Sequence, residues 1–260
     1  MAFKLGDIII DRIQFGFAED FSGNPLYALS QLSEATINVS ADSVEAKDKD
    51  GTLVKKFWRG KTGTFEAKNA MINTNIVGAA SGTGTQYATV SSTITMPKII
   101  VVNAGSTATL TDFVDGSVTV SAYGTNGSMG TVYTKGATAS ATEYALTSDG
   151  VLTPPTDANE VRYIVKYNRT VTEGAAIYNK ADKFPQTVKL TLKALCVDPC
   201  EADTLRACYI VLPSFQVSPE IGLELKTDAQ LDYKGDLQVD YCSVDKNLYE
   251  FYYAVDDEEE

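Results

Sequence analysis

The sequence contains no histidine. That absence removes Ser-His-Asp triads, Cys-His dyads and imidazole metal ligands. Acid–base chemistry near neutral pH would fall to perturbed carboxylates, lysines or tyrosines. Cysteine is scarce: Cys196, Cys200, Cys208 and Cys242 are the only four in 260 residues. Their spacing lacks the paired CxxC of common structural zinc sites, so inert, reduced thiols are expected. Apolar runs such as Ile99-Ile100-Val101-Val102 are far too short to cross a bilayer. Met1-Ala2-Phe3-Lys4 opens like a secretory signal, but Asp7 and Asp11 interrupt the apolar stretch Ile8-Ile9-Ile10. A soluble protein made in a cytoplasm is therefore expected. Positive charge is in deficit, with 22 Lys and Arg against 34 Asp and Glu, a net of −12. Such a chain repels nucleic-acid phosphate and anionic membrane. Its length admits one large or two small domains.

The acidity is not spread evenly. Residues 1–68 hold nine basic and ten acidic side chains, and residues 69–180 hold six and seven. Residues 181–260 hold seven and seventeen. Five of these form the end Asp256-Asp257-Glu258-Glu259-Glu260, expected to be a solvated, frayed terminus. The middle has a different texture. From Asn69 to Thr134 the only charges are Lys98, Asp112 and Asp115, and 14 of the residues from Thr83 to Thr142 are Thr. Thr with alternating Val and Ile points to strands joined by polar turns.

The clearest periodicity lies at 221–241. Odd positions run Ile221, Leu223, Leu225, Thr227, Ala229, Leu231, Tyr233, Gly235, Leu237, Val239, Tyr241. Even positions carry Glu224, Lys226, Asp228, Asp232, Lys234, Asp236 and Asp240. A helix would scatter these apolar groups around its circumference, so period two selects strands with one buried and one wet face. Thr227-Asp228 and Lys234-Gly235-Asp236 are the turn or bulge points. Strands are also expected at Thr36–Ser40, Val118–Ser121, Arg162–Asn168 and Val188–Ala194. Cys208–Leu212 reads as a buried strand ended by Pro213. Ser43–Trp58 reads as a hairpin turning at Asp48-Lys49-Asp50-Gly51. The one good helix candidate is Lys68–Gly78, where Met71, Ile72, Asn75 and Ile76 share a face and Gly78 stops it. Leu26–Leu32 suggests one short turn.

Motifs that resemble chemistry fail on inspection. Asp48-Lys49-Asp50-Gly51 suggests a calcium loop, but the twelve-residue register starts at Ala46 and ends at Phe57, so the required carboxylates are missing. Gly60-Lys61-Thr62 lacks the upstream glycine of a phosphate loop, having Lys55 there. Gly82-Thr83-Gly84 has Tyr87 where a dinucleotide fingerprint needs glycine. Nothing proposes a catalytic constellation, a metal ligand set or a cofactor. Lys55, Lys56, Phe57, Trp58 and Arg59 interleave cations with aromatics, as a single-stranded nucleic-acid platform does. In so acidic a chain, a protein–protein contact anchored by Trp58 beside Arg59 is the better reading.

Order and texture together resemble the tail-tube (major tail) proteins of long-tailed bacteriophages. The carriers are the Thr36–Ser40 strand, the Ser43–Trp58 hairpin, and Lys61–Ala70 running into the helix. They continue with Tyr144–Gly150 before the Val161–Tyr167 strand, Phe184-Pro185 leading into Thr187–Ala194, Leu212-Pro213, and the alternating 221–241. The resemblance covers about two-thirds of the chain. It implies a mainly β fold, an antiparallel β-sandwich or half-barrel with one flanking helix that closes into a larger barrel on oligomerisation. It implies 1–82 and 181–260 as the tube-forming core and 83–180 as an insertion or small extra β domain. It also implies homo-hexameric rings that stack, with no catalytic residues. DNA would pass as non-sticking cargo, and sheath, baseplate or terminator proteins would be partners. The protein would reside in the virion tail after assembly in the host cytoplasm.

Physics suits that role, because DNA slides best past an acidic wall. Part of the face that carries Glu224, Asp228, Asp232, Asp236 and Asp240 is expected to line the lumen, the other reading of it being a solvated outer sheet face. Lys55, Lys56, Phe57, Trp58 and Arg59 are the expected contact between rings. Competing readings are another virion part, such as a capsid decoration or tail-completion protein, and a non-catalytic β binding or adhesin module.

Overall fold

The computed structural model describes residues 7–199, 201–241 and 243–258, with the backbone alone at 201–203 and 255–258. In chain order the elements begin with β1 (Ile9–Glu19), β2 (Pro25–Leu29), β3 (Leu32–Lys47), β4 (Leu53–Asn69) and the helix α1 (Thr74–Ser81). Next come β5 (Gln86–Ala88), β6 (Ile94–Asn103), β7 (Ala108–Thr109), β8 (Thr119–Tyr123) and β9 (Met129–Gly136). Then follow β10 (Glu143–Leu146), β11 (Val151–Thr153), β12 (Arg162–Val171) and β13 (Gly174–Ala176). The last are β14 (Thr187–Asp198), β15 (Glu201–Val217), β16 (Leu231–Leu237) and β17 (Glu250–Glu258). The protein is mainly β, as its alternating sequence requires. It divides into two compact units, one of residues up to Thr85 together with those from Ile177, the other Gln86–Ala176.

The first unit is built on one antiparallel sheet in the order β2-β1-β14-β15-β16-β4-β3, with β17 also paired to β15. The sheet curls into a nearly closed barrel. Alternation decides which side is packed. Val188, Leu190, Leu192 and Ala194 of β14 are buried, as are Leu231, Tyr233 and Leu237 of β16. An aromatic cluster fills the core: Phe65 meets Phe215 edge-on at 5.7 Å, and both rings contact Tyr233. Helix α1 adds Ile76 and Ala80.

The Tyr233 hydroxyl is wholly buried and shares a 2.8 Å hydrogen bond with the Tyr27 hydroxyl. Burial disfavours both phenolates. It drives Tyr233 well above its ordinary value and pushes Tyr27 up to about 12, against the opposing hydrogen bond from Tyr233. The unfolded chain therefore releases these protons near pH 10, before the folded one does. Stability is fully present below pH 10 and falls as pH rises from 10 towards 12. Tyr27 alone accounts for about 2–3 kcal/mol of that loss. Urea unfolding midpoints at stepped alkaline pH should fall across this window, and less steeply in Tyr27→Phe.

Pairing overrides several local expectations. Pro213 does not end a strand, since β15 continues to Val217. The proline lies at a register shift against β14, after β15's pairing with β17 (Arg206–Val211) and before that with β16 (Phe215–Val217). No ladder donor is lost where neither neighbour needs one. Leu26–Leu32 is no turn but mostly strand, with Pro25–Leu29 paired to β1. The helix starts later than Lys68, because Lys68 and Asn69 finish β4 opposite Asp232 and Leu231. Asn73 caps it by accepting the Asn75 N–H at 2.8 Å.

Gly78 lies inside the helix, where an added Cβ would press on the Gly84 and Thr85 backbone. Gly82 ends it instead, at φ 70°, with its N–H on the Ala79 carbonyl. A Cβ on Gly82 would collide with the Phe184 backbone. Gly82→Ala therefore combines left-handed strain of about 1–2 kcal/mol with a forced backbone shift. A melting temperature lower by about 4–8 °C in a circular-dichroism scan is expected.

The acidic end is also not simply frayed. The Asp256-Asp257-Glu258 backbone continues β17, with Glu258 opposite Arg206 of β15. Glu259 and Glu260 lie outside the described residues. Cys196 and Cys208 are free and buried in β14 and β15. Burial raises both thiols, Cys208 to about 12, which makes them poor nucleophiles. Cys200 and Cys242 lie outside the described residues.

The second unit carries a seven-stranded sheet in the order β6-β12-β8-β9-β10-β11-β7, plus the pair β13-β5. β9 and β10 run parallel; the other pairs are antiparallel. Its core is rich in tyrosine. Tyr163 donates to the Pro155 carbonyl at 3.0 Å, Tyr144 to the Val118 carbonyl at 3.1 Å, and Tyr133 to Asp157 at 3.1 Å. Each phenol thus buries its ring while its hydroxyl is satisfied.

Candidate assembly surfaces

The β3–β4 hairpin is longer than its sheet needs. β16 accompanies β4 only from Gly63 to Asn69. Beyond that point the two strands continue as a ribbon, and every residue from Asp42 to Thr62 is exposed. The turn is the one expected from Asp48-Lys49-Asp50-Gly51. Asp48 accepts the N–H groups of Asp50 and Thr52 at 2.9 and 2.8 Å, and Gly51 supplies φ 83°. Gly60, at φ 42°, sits opposite the Ala41/Asp42 register shift, a bulge that turns the ribbon.

Register divides the basic–aromatic run between two faces. Phe57 stands opposite Val44 and Lys55 opposite Ala46, with Arg59 opposite Asp42 on the same side. Trp58 and Lys56 stand on the other side, opposite Ser43 and Glu45. The Lys56 ammonium lies 4.6 Å from the centre of the Trp58 ring and 4.0 Å from Glu45. Phe57 is 51% and Trp58 66% exposed. A two-stranded ribbon is marginal alone, and one with an aromatic on each face has both faces to cover.

The five carboxylates of the alternating stretch do not share one strand. Only Leu231–Leu237 is β, with Leu231, Tyr233 and Leu237 inward and Asp232 and Asp236 outward. Asp232 faces Lys68, which also binds Glu34 at 2.7 Å, while Lys234 pairs with Glu220 at 3.3 Å. The wet face is thus acidic but interrupted by two lysines. Glu224 and Asp228 lie on the irregular stretch before β16, where they line a polar depression together with Asp232. Asp240 lies beyond β16 beside Glu19, Asp20 and Glu250. Residues 221–230 alternate like a strand but find no ladder. Leu223 of this stretch is 48% and Leu225 92% exposed, so alternation here does not mark burial within the chain.

Among the described residues no cluster of three or more Cys, Asp or Glu could hold a metal ion, and no helix is long and apolar enough to cross a membrane. The sequence matches the YomU/Tube protein family over residues 7–243. The chain belongs to that family. No curated protein matches it. Membership agrees with the resemblance to tail-tube proteins read from strand order, and it marks the chain as a structural tube protein. The match runs through both compact units and includes the ribbon and β16.

Proposed function

We propose that the chain is the subunit of a bacteriophage tail tube. Copies close into six-fold rings, the rings stack, and DNA passes through the lumen without binding. The observation that carries this reading is the ribbon from Asp42 to Thr62, exposed on both faces and extending from a nearly closed barrel in a tube-family chain. Lys55, Lys56, Phe57, Trp58 and Arg59 make the contact between rings. The Gln86–Ala176 unit stands as an addition to the tube-forming core. Partners are further copies and other tail proteins such as sheath, baseplate or terminator, and the place of work is the virion tail.

The outward face of β16, with Asp232 and Asp236, lines the lumen. Like charge between wall and phosphate keeps the cargo sliding. Reversing both, as Asp232→Lys with Asp236→Lys, changes exposed side chains, so the subunit still folds. Assembled variant particles should retain double-stranded DNA at low salt and release it as salt rises. Wild-type particles should retain none. Equal DNA retention by both contradicts the lumen assignment.

A further inference from the structure

The first unit's barrel stops short of closing. β14 occupies one edge of β1 from Ile9 to Glu19, but β2 covers the other only from Gly16 to Glu19. β3 is laddered to β4 on one edge, and among the described residues no strand pairs with its other edge. Between the two open edges lies an apolar groove of about 420 Å3. Ile10 and Ile13 of β1 line one side and Leu32 and Ile37 of β3 the other, with Leu192 and Ile210 between. Both borders are irregular: β1 shifts register at Ile10/Arg12 and Ile13/Phe15, and β3 shifts at Ser33/Thr36, where Glu34 takes φ 48°. A non-glycine residue held there is strained.

The same unit carries a strand-like segment without a partner. Ile221, Leu223 and Leu225 alternate with Gly222, Glu224 and Lys226, yet among the described residues no ladder includes them. Ile221 packs against the core, Leu223 is 48% exposed and Leu225 is 92% exposed. Ile221 and Leu223 border an apolar depression with Ile72, Val77 and Ile177 of their own unit, and the segment leaves its subunit beyond them, with Leu225 uncovered. An extended segment of this kind adds to an open sheet edge, with backbone bonds for affinity and alternate side chains for specificity.

We infer that Ile221–Lys226 of one copy enters the β1–β3 groove of the next copy as an added strand. Leu225 fills the groove, and the open edges take up the segment's backbone groups. Charges at the mouth are complementary. Arg12 and Asp11 pair at 2.6 Å beside the groove, Glu34 stands on the β3 side, and Glu224 and Lys226 pair at 2.6 Å on the segment. On docking these exposed pairs exchange, Glu224 to Arg12 and Lys226 to Asp11, while Glu34 keeps its pair with Lys68. A chain that donates at one place and accepts at another associates head to tail, which closes into a ring when the rotation permits. This is a contact around a ring, separate from the ribbon's contact between rings. It rests on the proposed reading that copies of the chain assemble.

The test places the photoreactive residue benzoylphenylalanine at Ala35, an exposed position beside the groove, and irradiates assembled particles mixed from isotopically light and heavy chains. Adducts joining light to heavy chains at Ile221–Lys226 are expected. Particles that assemble but yield adducts to residues 1–6 of the same chain, or to any other surface, overturn the inference and leave the assembly reading standing. If the wild-type chain forms no particles, both fall. Leu225→Asp supplies an independent measurement. Its side chain already lies in water, so the melting temperature should not move, while assembly weakens at least ~tenfold. Unchanged assembly by Leu225→Asp overturns the inference as well.

Discussion

Replacing Phe57 and Trp58 together with alanine should leave a folded subunit that no longer stacks. Both side chains stand on the ribbon beyond the reach of β16, one on each face, and neither touches a core cluster. Substitutions at such exposed positions change stability by about 0.5 kcal/mol or less each. Aromatic anchors at an interface cost about 2 kcal/mol or more each when truncated. Two such losses weaken each contact by roughly a thousandfold. In the proposed stack every subunit uses the contact, so sedimentation velocity should show slow-moving species at concentrations where the wild type assembles. Circular dichroism should show an unchanged melt. The single variants separate the faces: if only one is covered, Phe57→Ala and Trp58→Ala will differ sharply. Wild-type assembly by the double variant would remove the ribbon from the account.

The largest loss of stability is expected from Tyr233→Ala. The ring is wholly buried among Tyr27, Phe65 and Phe215, and its hydroxyl is the partner of Tyr27. Removing a large aromatic from a packed core costs about 3–5 kcal/mol through lost burial and the cavity left behind. The deserted Tyr27 hydroxyl adds about 1–3 kcal/mol. Since about 1 kcal/mol shifts the melting temperature of a unit of this size by roughly 2–4 °C, a fall of more than 10 °C is expected by calorimetry. Tyr233→Phe keeps the ring and deserts only the Tyr27 hydroxyl, so its fall should be about a quarter to two-fifths of that. Equal effects in the two variants would mean that the hydroxyl pair, and not the aromatic packing, holds this part of the core.

Period two made most of the fold legible. Val188, Leu190, Leu192 and Ala194 face the core of the first unit as their alternation with Lys189, Thr191 and Lys193 requires. The Asp-Gly turn placed the hairpin correctly because Gly51 and the Asp48 side chain encode that turn locally. What local pattern could not encode was pairing. Pro213 marks a strand end by local rules, yet β15 runs through it and changes neighbours there. Lys68 and Asn69 looked helical beside Met71 and Ile72, but β16 holds them in the sheet. The alternation of 221–241 is one pattern in sequence and two environments in space. From Leu231 it buries side chains in the chain's own core, while Leu223 is half-exposed and Leu225 stands in water.

The candidate surfaces were legible to different degrees for the same reason. Charge and aromaticity singled out Lys55–Arg59 from sequence, but strand register alone divides that run between two faces. The carboxylates were visible as a set, yet only Asp232 and Asp236 share a strand face. The β1–β3 groove had no sequence signal. Its lining comes from four strands and β3's first residues, and what defines it is a pairing that the sheet leaves unmade.

Electron microscopy of the purified protein tests the central claim most directly. Negative stain at rising concentration should show rings with six-fold end views and, as they stack, striated tubes with a continuous axial channel. Uniform particles the size of one subunit at every concentration, or closed assemblies of another symmetry, would contradict the account.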